Sequence, residues 1–146
     1  MRGRRMTRVV VHEETDIMVA LVVSGDPKHV GITRCLVRAA LEYRGLGAYA
    51  DDAETVASEL VANAIQHATT GVRDKVGVTL MHVWGGDAVA VVVTDPSPVP
   101  PVIREAAPAS EGGRGLRIVE ALCAHWSWNP EDDGKAVYAI LARDTL

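Results

Sequence analysis

The chain has 146 residues, enough for one domain with a two-layer core, and its 48% hydrophobic content is sufficient to fill one. Phe is absent, so Val, Leu, Ile and Ala must make that core together with three Trp and three Tyr. The net charge of −4 argues against a nucleic-acid-binding surface, and no apolar run reaches the ~18 residues of a membrane span. The N-terminus lacks the apolar stretch of a signal peptide. The basic start "MRGRRMTR" reads as solvated, with residues 1–14 expected as a flexible tail and 15–146 as a single domain. Cys35 and Cys123 lie far apart in helical, apolar contexts, which predicts buried free thiols in a reducing, cytoplasmic compartment.

In chain order, "IMVALVV" (17–23) reads as a buried strand. "SGDP" then turns, with Asp26 able to cap a helix over 27–44, where Val30, Arg34, Val37 and Leu41 recur near the helical period. "GLGAYADD" breaks that helix, and a second runs from about 52 to 68. "KVGVTLMHVW" (75–84) alternates as a strand, "GGD" makes a hairpin, and "AVAVVVTD" (88–95) is apolar on both faces, as in a central strand. Residues 96–113 carry five prolines and predict an irregular loop. "GLRIVEALCAHW" (115–126) predicts a helix, "NPEDDG" a turn, and "KAVYAILA" (135–142) a last strand. Tryptophans entering that strand, Trp126 and Trp128, are expected in the core. Grouped helices beside hairpin strands predict an α+β fold, a two-layer sandwich with helices on one face of a mixed sheet.

Three stretches carry chemistry. In "ELVANAIQHATT" (59–70), Glu59, Asn63 and His67 fall within about 80° of one another on a helix. Leu60, Val61, Ala64 and Ile65 fill the adjoining arc, so the polar stripe borders the buried face, where a cleft can form. A carboxylate there can deprotonate a hydroxyl or water. A carboxamide oxygen is a hard ligand suited to Mg²⁺. In "VVVTDPSP", Asp95 ends an apolar strand, placed to accept from an exocyclic amine such as that of adenine; an ordinary Asp-Pro turn explains the residue as well. In "EGGRGLRIVEAL", Gly112, Gly113 and Gly115 precede and open a helix whose N-terminal N–H groups suit phosphate, with Arg114 as an added cation. No Walker A pattern is present.

Taken in this order, the three stretches resemble the GHKL ATPases, the group of gyrase, histidine kinases and mismatch-repair ATPases. "ELVANAIQHA" resembles their N box, "VTDPSP" the first glycine box and "GGRGLRIV" the second, and the likeness covers about residues 15–142. It is nearest the small stand-alone branch of anti-sigma factors with serine-kinase activity and actinomycete ATP-binding regulators. The resemblance implies the Bergerat fold, the histidine-kinase-like ATPase sandwich, with ATP and Mg²⁺ as cofactors. It implies Glu59 as general base, Asn63 as Mg²⁺ ligand, His67 at the end of the N box and Asp95 as the adenine reader. It also implies Gly112, Gly113, Arg114, Gly115 and Leu116 around the phosphates, with 98–111 as the lid. Ser97 stands where the family has glycine, and Pro96 and Pro98 flank it, which stiffens that turn.

The implied activity is an anti-sigma factor that phosphorylates a Ser or Thr of an anti-anti-sigma (STAS-type) protein, with a sigma factor as second partner and a homodimer as a family habit. A non-catalytic nucleotide-sensing module and a simple ATPase remain as alternatives; the presence of Glu59 favours catalysis.

Overall fold

The computed structural model describes residues 15–68, 74–83, 87–101 and 114–143. The expected tail over 1–14 lies outside them. The elements run β1 (Thr15–Ser24), α1 (His29–Tyr43), a short 3-10 turn (Gly47–Tyr49), α2 (Ala50–Ala68), β2 (Lys75–Val83), β3 (Ala88–Asp95), α3 (Arg114–Leu122), β4 (His125–Glu131) and β5 (Gly134–Ala142).

The strands form one five-stranded sheet in the order β1-β2-β3-β5-β4. The α+β sandwich expected from the sequence is present, but every neighbouring pair is antiparallel, where a mixed sheet was expected. Chain reversal explains the difference. Two helices between β1 and β2 bring the chain back running against β1. One helix between β3 and β4 leaves those two strands pointing the same way, but β5 inserts between them.

Period-two alternation sorts each strand into two faces. Val76, Val78 and Leu80 of β2, Val89, Val91 and Val93 of β3, and Val137, Ala139 and Leu141 of β5 point to one side and are buried. They pack with Val37 and Leu41 of α1, Val56, Leu60, Val61 and Ala64 of α2, and Leu116 and Val119 of α3 in a single core. Met81, Ala88, Ala90 and Ala136, from the other face, are buried outside that cluster. The missing Phe is thus replaced by many small branched side chains, which suit strands because their χ1 is already restricted.

α1 ends in a Schellman motif. Gly45 takes φ +74, Leu46 N–H donates to the Leu41 carbonyl at 2.8 Å and Gly45 N–H to that of Glu42 at 3.2 Å. This is the physical content of the "GLG" break. Asp26 does turn the chain before α1, its Oδ1 accepting from Lys28 N–H at 3.0 Å, although it sits outside the N-cap position. On the flank of the helix pair, Arg38 Nε donates to Glu54 Oε2 at 2.6 Å and Arg34 Nη2 to Glu54 Oε1 at 2.9 Å; Arg38 also reaches Asp51 and Glu42. These guanidinium groups hold the Glu54 carboxyl below its ordinary value. Exposed pairs of this kind fix the register of α1 on α2 more than they add stability.

Two expectations fail at the C-terminal end. The helix predicted over 115–126 stops at Leu122, and "HWSWNPE" is a strand. Cys123 N–H closes the last helical turn on Val119 O at 3.0 Å, then Ala124 N–H donates to Ile140 O at 2.8 Å and hands the chain to the sheet. Trp126 pairs with Ala139 and Trp128 with Val137 on the core face, as expected of tryptophans; Trp126 is buried and Trp128 packs against the core. The predicted turn shrinks to Asp132 and Asp133, and Pro130 is tolerated because β4 is an edge strand.

The cysteines also differ from expectation. Cys35 is exposed on α1, and Cys123 is only partly covered. Burial, with Asp52 nearby, nevertheless pushes the Cys123 thiol up to about 12. Since the thiolate is the reactive form, Cys35 should be titrated by a disulfide reagent at neutral pH within minutes. Cys123 should react only after unfolding. Mass spectrometry of the labelled peptides checks this, and equal rates at both sites would contradict the burial described.

Candidate functional site

Glu59 and Asn63 lie on α2 one helical turn apart, both half-buried, and His67 lies a further turn on, exposed. Leu60, Val61 and Ala64 beside them are buried. The stripe therefore runs along the rim of the core, as the arc of apolar neighbours implies.

α3 packs directly against this stripe. Gly115 is buried, and a Cβ at that position would stand 2.9 Å from Glu59 Oε1 and 3.8 Å from both Glu59 Cβ and the Glu59 carbonyl. The first turn of α3 thus lies on the Glu59 carboxylate because residue 115 has no side chain. Leu116, next in sequence, is 1% exposed and anchors that turn in the core. Of the glycine-rich stretch, Gly112 and Gly113 lie outside the described residues. Arg114 opens α3. The lid expected over 98–111 is described only to residue 101.

α2 lies over β2, β3 and β5. β2 starts shortly after α2 ends, and its early residue Gly77 pairs with Thr94, so the C-terminal part of α2 and the end of β3 share one end of the sheet. Asp95 stands at that end and is buried. The turn reading of this residue holds. It makes the turn, its Oδ1 accepting from Ser97 N–H at 2.8 Å, and it also presents a carboxylate on the core face. Ser97 closes the turn further, its Oγ accepting from Val99 N–H at 3.2 Å.

Sequence reading missed the residue across from it. Lys135 is the register partner of Asp95 on β5 and is 5% exposed. Its Nζ donates to Asp95 Oδ1 at 3.0 Å and to the Ser97 carbonyl at 3.2 Å. Alternation held the signal: if Val137, Ala139 and Leu141 face inward, Lys135 must do so too. Burial pushes the Asp95 carboxyl up, while Lys135 and Ser97 N–H pull it back. A cavity of about 530 Å³ opens beside the pair, lined by Asp95, Pro96, Lys135 and the acidic turn of Glu131, Asp132 and Asp133. Its other walls, Lys75 and Thr94, belong to the sheet's outer face, so this cavity skirts the strand ends rather than the cleft beneath α2.

The donors fit a hard cation. Among the described residues no group of three or more His, Cys, Asp or Glu side chains that could hold a metal ion is assembled. Mg²⁺ needs one or two protein oxygens when phosphates and waters complete its shell. Asn63 and Glu59, beside a helix start held open by Gly115, suit that arrangement. No helix among the described residues is long and apolar enough to cross a membrane.

A family model described as "Histidine kinase-like ATPase domain" matches residues 23–141. No curated relative matches the sequence. Among solved structures, the chain is similar to the RsbU and RsbW domains of Rv1364c from Mycobacterium tuberculosis, with 20% identity and a TM-score of 0.57 over 87% of this chain and 34% of that one. It also aligns with the histidine kinase domain of the blue-light activated histidine kinase from Erythrobacter litoralis EL346, at 20% identity and a TM-score of 0.41, covering 90% of this chain and 64% of that one. The chain therefore spans about a third of the first structure and less than two thirds of the second.

Gly134 limits what this site tolerates. Its φ is +156, and a Cβ there would fall 1.8 Å from the Asp95 carbonyl oxygen, a backbone atom that cannot swing away. Gly134→Ala should cost about 2–4 kcal/mol, the range of a severe core disruption, measured by urea unfolding. A loss below about 0.5 kcal/mol, the level of a neutral surface change, would show that β5 does not sit this close to β3.

Proposed function

The chain belongs to the histidine kinase-like ATPase family, and from that premise we propose that it binds ATP and passes the γ-phosphoryl group to a Ser or Thr hydroxyl of an anti-anti-sigma protein, acting as an anti-sigma regulator. The observation that carries this reading is the contact between the Glu59 carboxylate and the glycine at the start of α3. It joins a group able to take a proton to a helix terminus able to hold phosphate, with no side chain between them.

Each residue has a separate task. The free N–H groups at the start of α3 receive phosphate oxygens, favoured by the positive end of the helix dipole. Asn63 Oδ1 would hold Mg²⁺, which supplies charge neutralisation for the triphosphate when bound. Asp95 accepts a hydrogen bond from the base, and the Val wall of β3 covers the flat ring. Glu59 takes the proton of the attacking hydroxyl. The new O–P bond forms as the bond between the γ-phosphorus and the leaving ADP oxygen breaks. Phosphoryl transfer asks chiefly for positioning and charge stabilisation, so few polar groups suffice.

The partner class rests on the motif resemblance. The likeness to the structure containing an RsbW domain is one of fold and does not name this chain's partners. A hydrolase would use the same residues with water as acceptor, and a nucleotide sensor would bind without transfer.

Radiolabelled ATP with Mg²⁺ and a candidate anti-anti-sigma protein separates the three. Glu59→Gln should keep ATP affinity within about threefold and lower transfer by about 10²-fold or more, the usual contribution of a general base. Transfer at the wild-type rate would remove Glu59 from the role of base; in wild type, release of labelled phosphate without protein labelling would leave the hydrolase, and neither would leave the sensor. Gly115→Ala tests the contact itself. The atom it crowds is the tip of a flexible side chain, so stability should change by less than about 1 kcal/mol. The displaced Glu59 carboxylate should still cut transfer by about tenfold, as expected of a small misplacement of a reacting group. Unimpaired transfer in Gly115→Ala would show that the contact does not position the base.

A further inference from the structure

β1 is an edge strand, and among the described residues its one strand neighbour is β2. Its second row of N–H and C=O groups therefore points outward from the sheet. Such edges are usually blunted by Lys, Pro or a charge within the strand. Between Ile17 and Val23 the sequence "IMVALVV" has none of these, and one register shift between Ile17 and Val19 is its sole irregularity. Ile17 is 58% exposed and Val22 66%.

The helix above this strand carries a matching surface. α1 contacts β1, and its Thr33, Val37 and Leu41 are buried. Arg34 and Arg38 reach sideways to Glu54 of α2. At ~100° per residue, Ile32, Leu36, Ala39 and Tyr43 fall within about 60° of one another, an arc that holds no other residue of α1. All four are exposed. The arc turns away from both the core and α2, out past β1, and its spacing is that of a helix-pairing seam. The ends of this surface are polar. Arg44 pairs with Asp16 at one end, and Ser24 with His29 at the other. An apolar centre inside a polar rim is the anatomy of a protein interface.

An occupant must offer an unpaired strand and an apolar helix flank side by side. We infer that it is a second copy of this chain, joined across a two-fold axis with β1 against β1 and α1 against α1, each pair antiparallel. The seam is self-complementary in that arrangement. Ile32 meets the partner's Tyr43, and Leu36 meets the partner's Ala39, large against small. Strands crossing at Ala20 set Asp16 opposite the partner's Ser24, so no like charges meet. One axis serves both layers. Ala20 lies about 13 Å along β1 from Ser24, at about 3.3 Å per residue. The middle of the seam lies about 13 Å along α1 from His29, at about 1.5 Å per residue. Both distances start from the same turn, so the two centres are level. A ten-residue strand gives this face a length of about 33 Å. With one helix layer and one sheet layer about 20 Å deep together, each copy offers about 650 Å², within the range of a stable interface.

The test is sedimentation equilibrium of the full chain without nucleotide, at about 50 μM, above the micromolar limit of weak interfaces of this size. Wild type should show twice the 15.6 kDa of one chain. Leu36→Glu should raise the dissociation constant by about tenfold or more, the loss expected for one interface anchor. Ala121→Glu, the same kind of change on the exposed side of α3, should leave it unchanged. Cross-linking reads the geometry. Ile32→Cys and Tyr43→Cys, each combined with Cys35→Ser, should form a disulfide with each other when mixed and oxidised. Neither should link to its own kind, because two-fold mates of either residue stand about 16 Å apart along the helices. A monomer at that concentration would overturn the inference, and so would a dimer indifferent to Leu36→Glu. Absence of the mixed cross-link, or links only between like variants, would overturn it as well. Wild-type mass and cross-linking decide the matter even if Leu36→Glu does not fold. The nucleotide reading stands or falls separately, since no nucleotide enters the measurement.

Discussion

The approach of α3 to α2 is limited by the one side chain that residue 115 lacks. With hydrogen there, the first turn of α3 comes down onto the Glu59 carboxylate, and Leu116 drives the same turn into the core. A methyl group would separate the two helices or push the carboxylate aside. This contact sets where an acid, a carboxamide and a helix N-terminus stand relative to one another. The rest of the fold serves to hold it: the Val-rich sheet supports α2 from below, and the Arg38 and Arg34 pairs with Glu54 keep α1 in register along its flank.

The Asp95 end of the cleft obeys a different constraint. Asp95 and Lys135 are buried opposite charges, and a pair of that kind is at best weakly stabilising compared with apolar residues of the same size. Its worth lies in what breaks when one partner goes, because the remaining charge is left in the core. Gly134 lets β5 approach the Asp95 backbone closely enough for the pair to form at all. The two ends thus involve two close approaches to a glycine, one between helices, where the crowded atom is a movable side-chain tip, and one between strands, where it is backbone.

Much of this was legible in the sequence. The alternation of β2 and β3, the helical stripe of Glu59, Asn63 and His67, and the break at "GLG" all read directly, because period and turn chemistry are local properties. The failures have a common cause in tertiary context. "HWSW" continues the helical pattern of "GLRIVEAL" in composition, and only pairing with β5 makes it a strand. The mixed sheet was a default for alternating elements, and the insertion of β5 between β3 and β4 cannot be seen along the chain. Cys35 sits in apolar surroundings on the sequence, but on the outward side of α1. Lys135 was overlooked because a lysine at the start of a strand usually points to water, and its inward direction follows only once the strand's other residues are assigned a face.

The order of strands carries one more implication, for how the molecule assembles. Asp95 and Lys135 are 40 positions apart along the chain, and β5 joins β3 on one side while carrying β4, its hairpin neighbour, on the other. Contacts of such long separation close late, since loop entropy must be met before they contribute. The β2–β3 and β4–β5 hairpins can pair earlier on nearer neighbours, whereas β1 meets β2 across a still longer stretch, with Ser24 opposite Lys75 and Thr15 opposite Val83. The Asp95 end of the cleft therefore waits on the pairing of β5 with β3, while the acid and carboxamide on α2 take their spacing from one local helical turn.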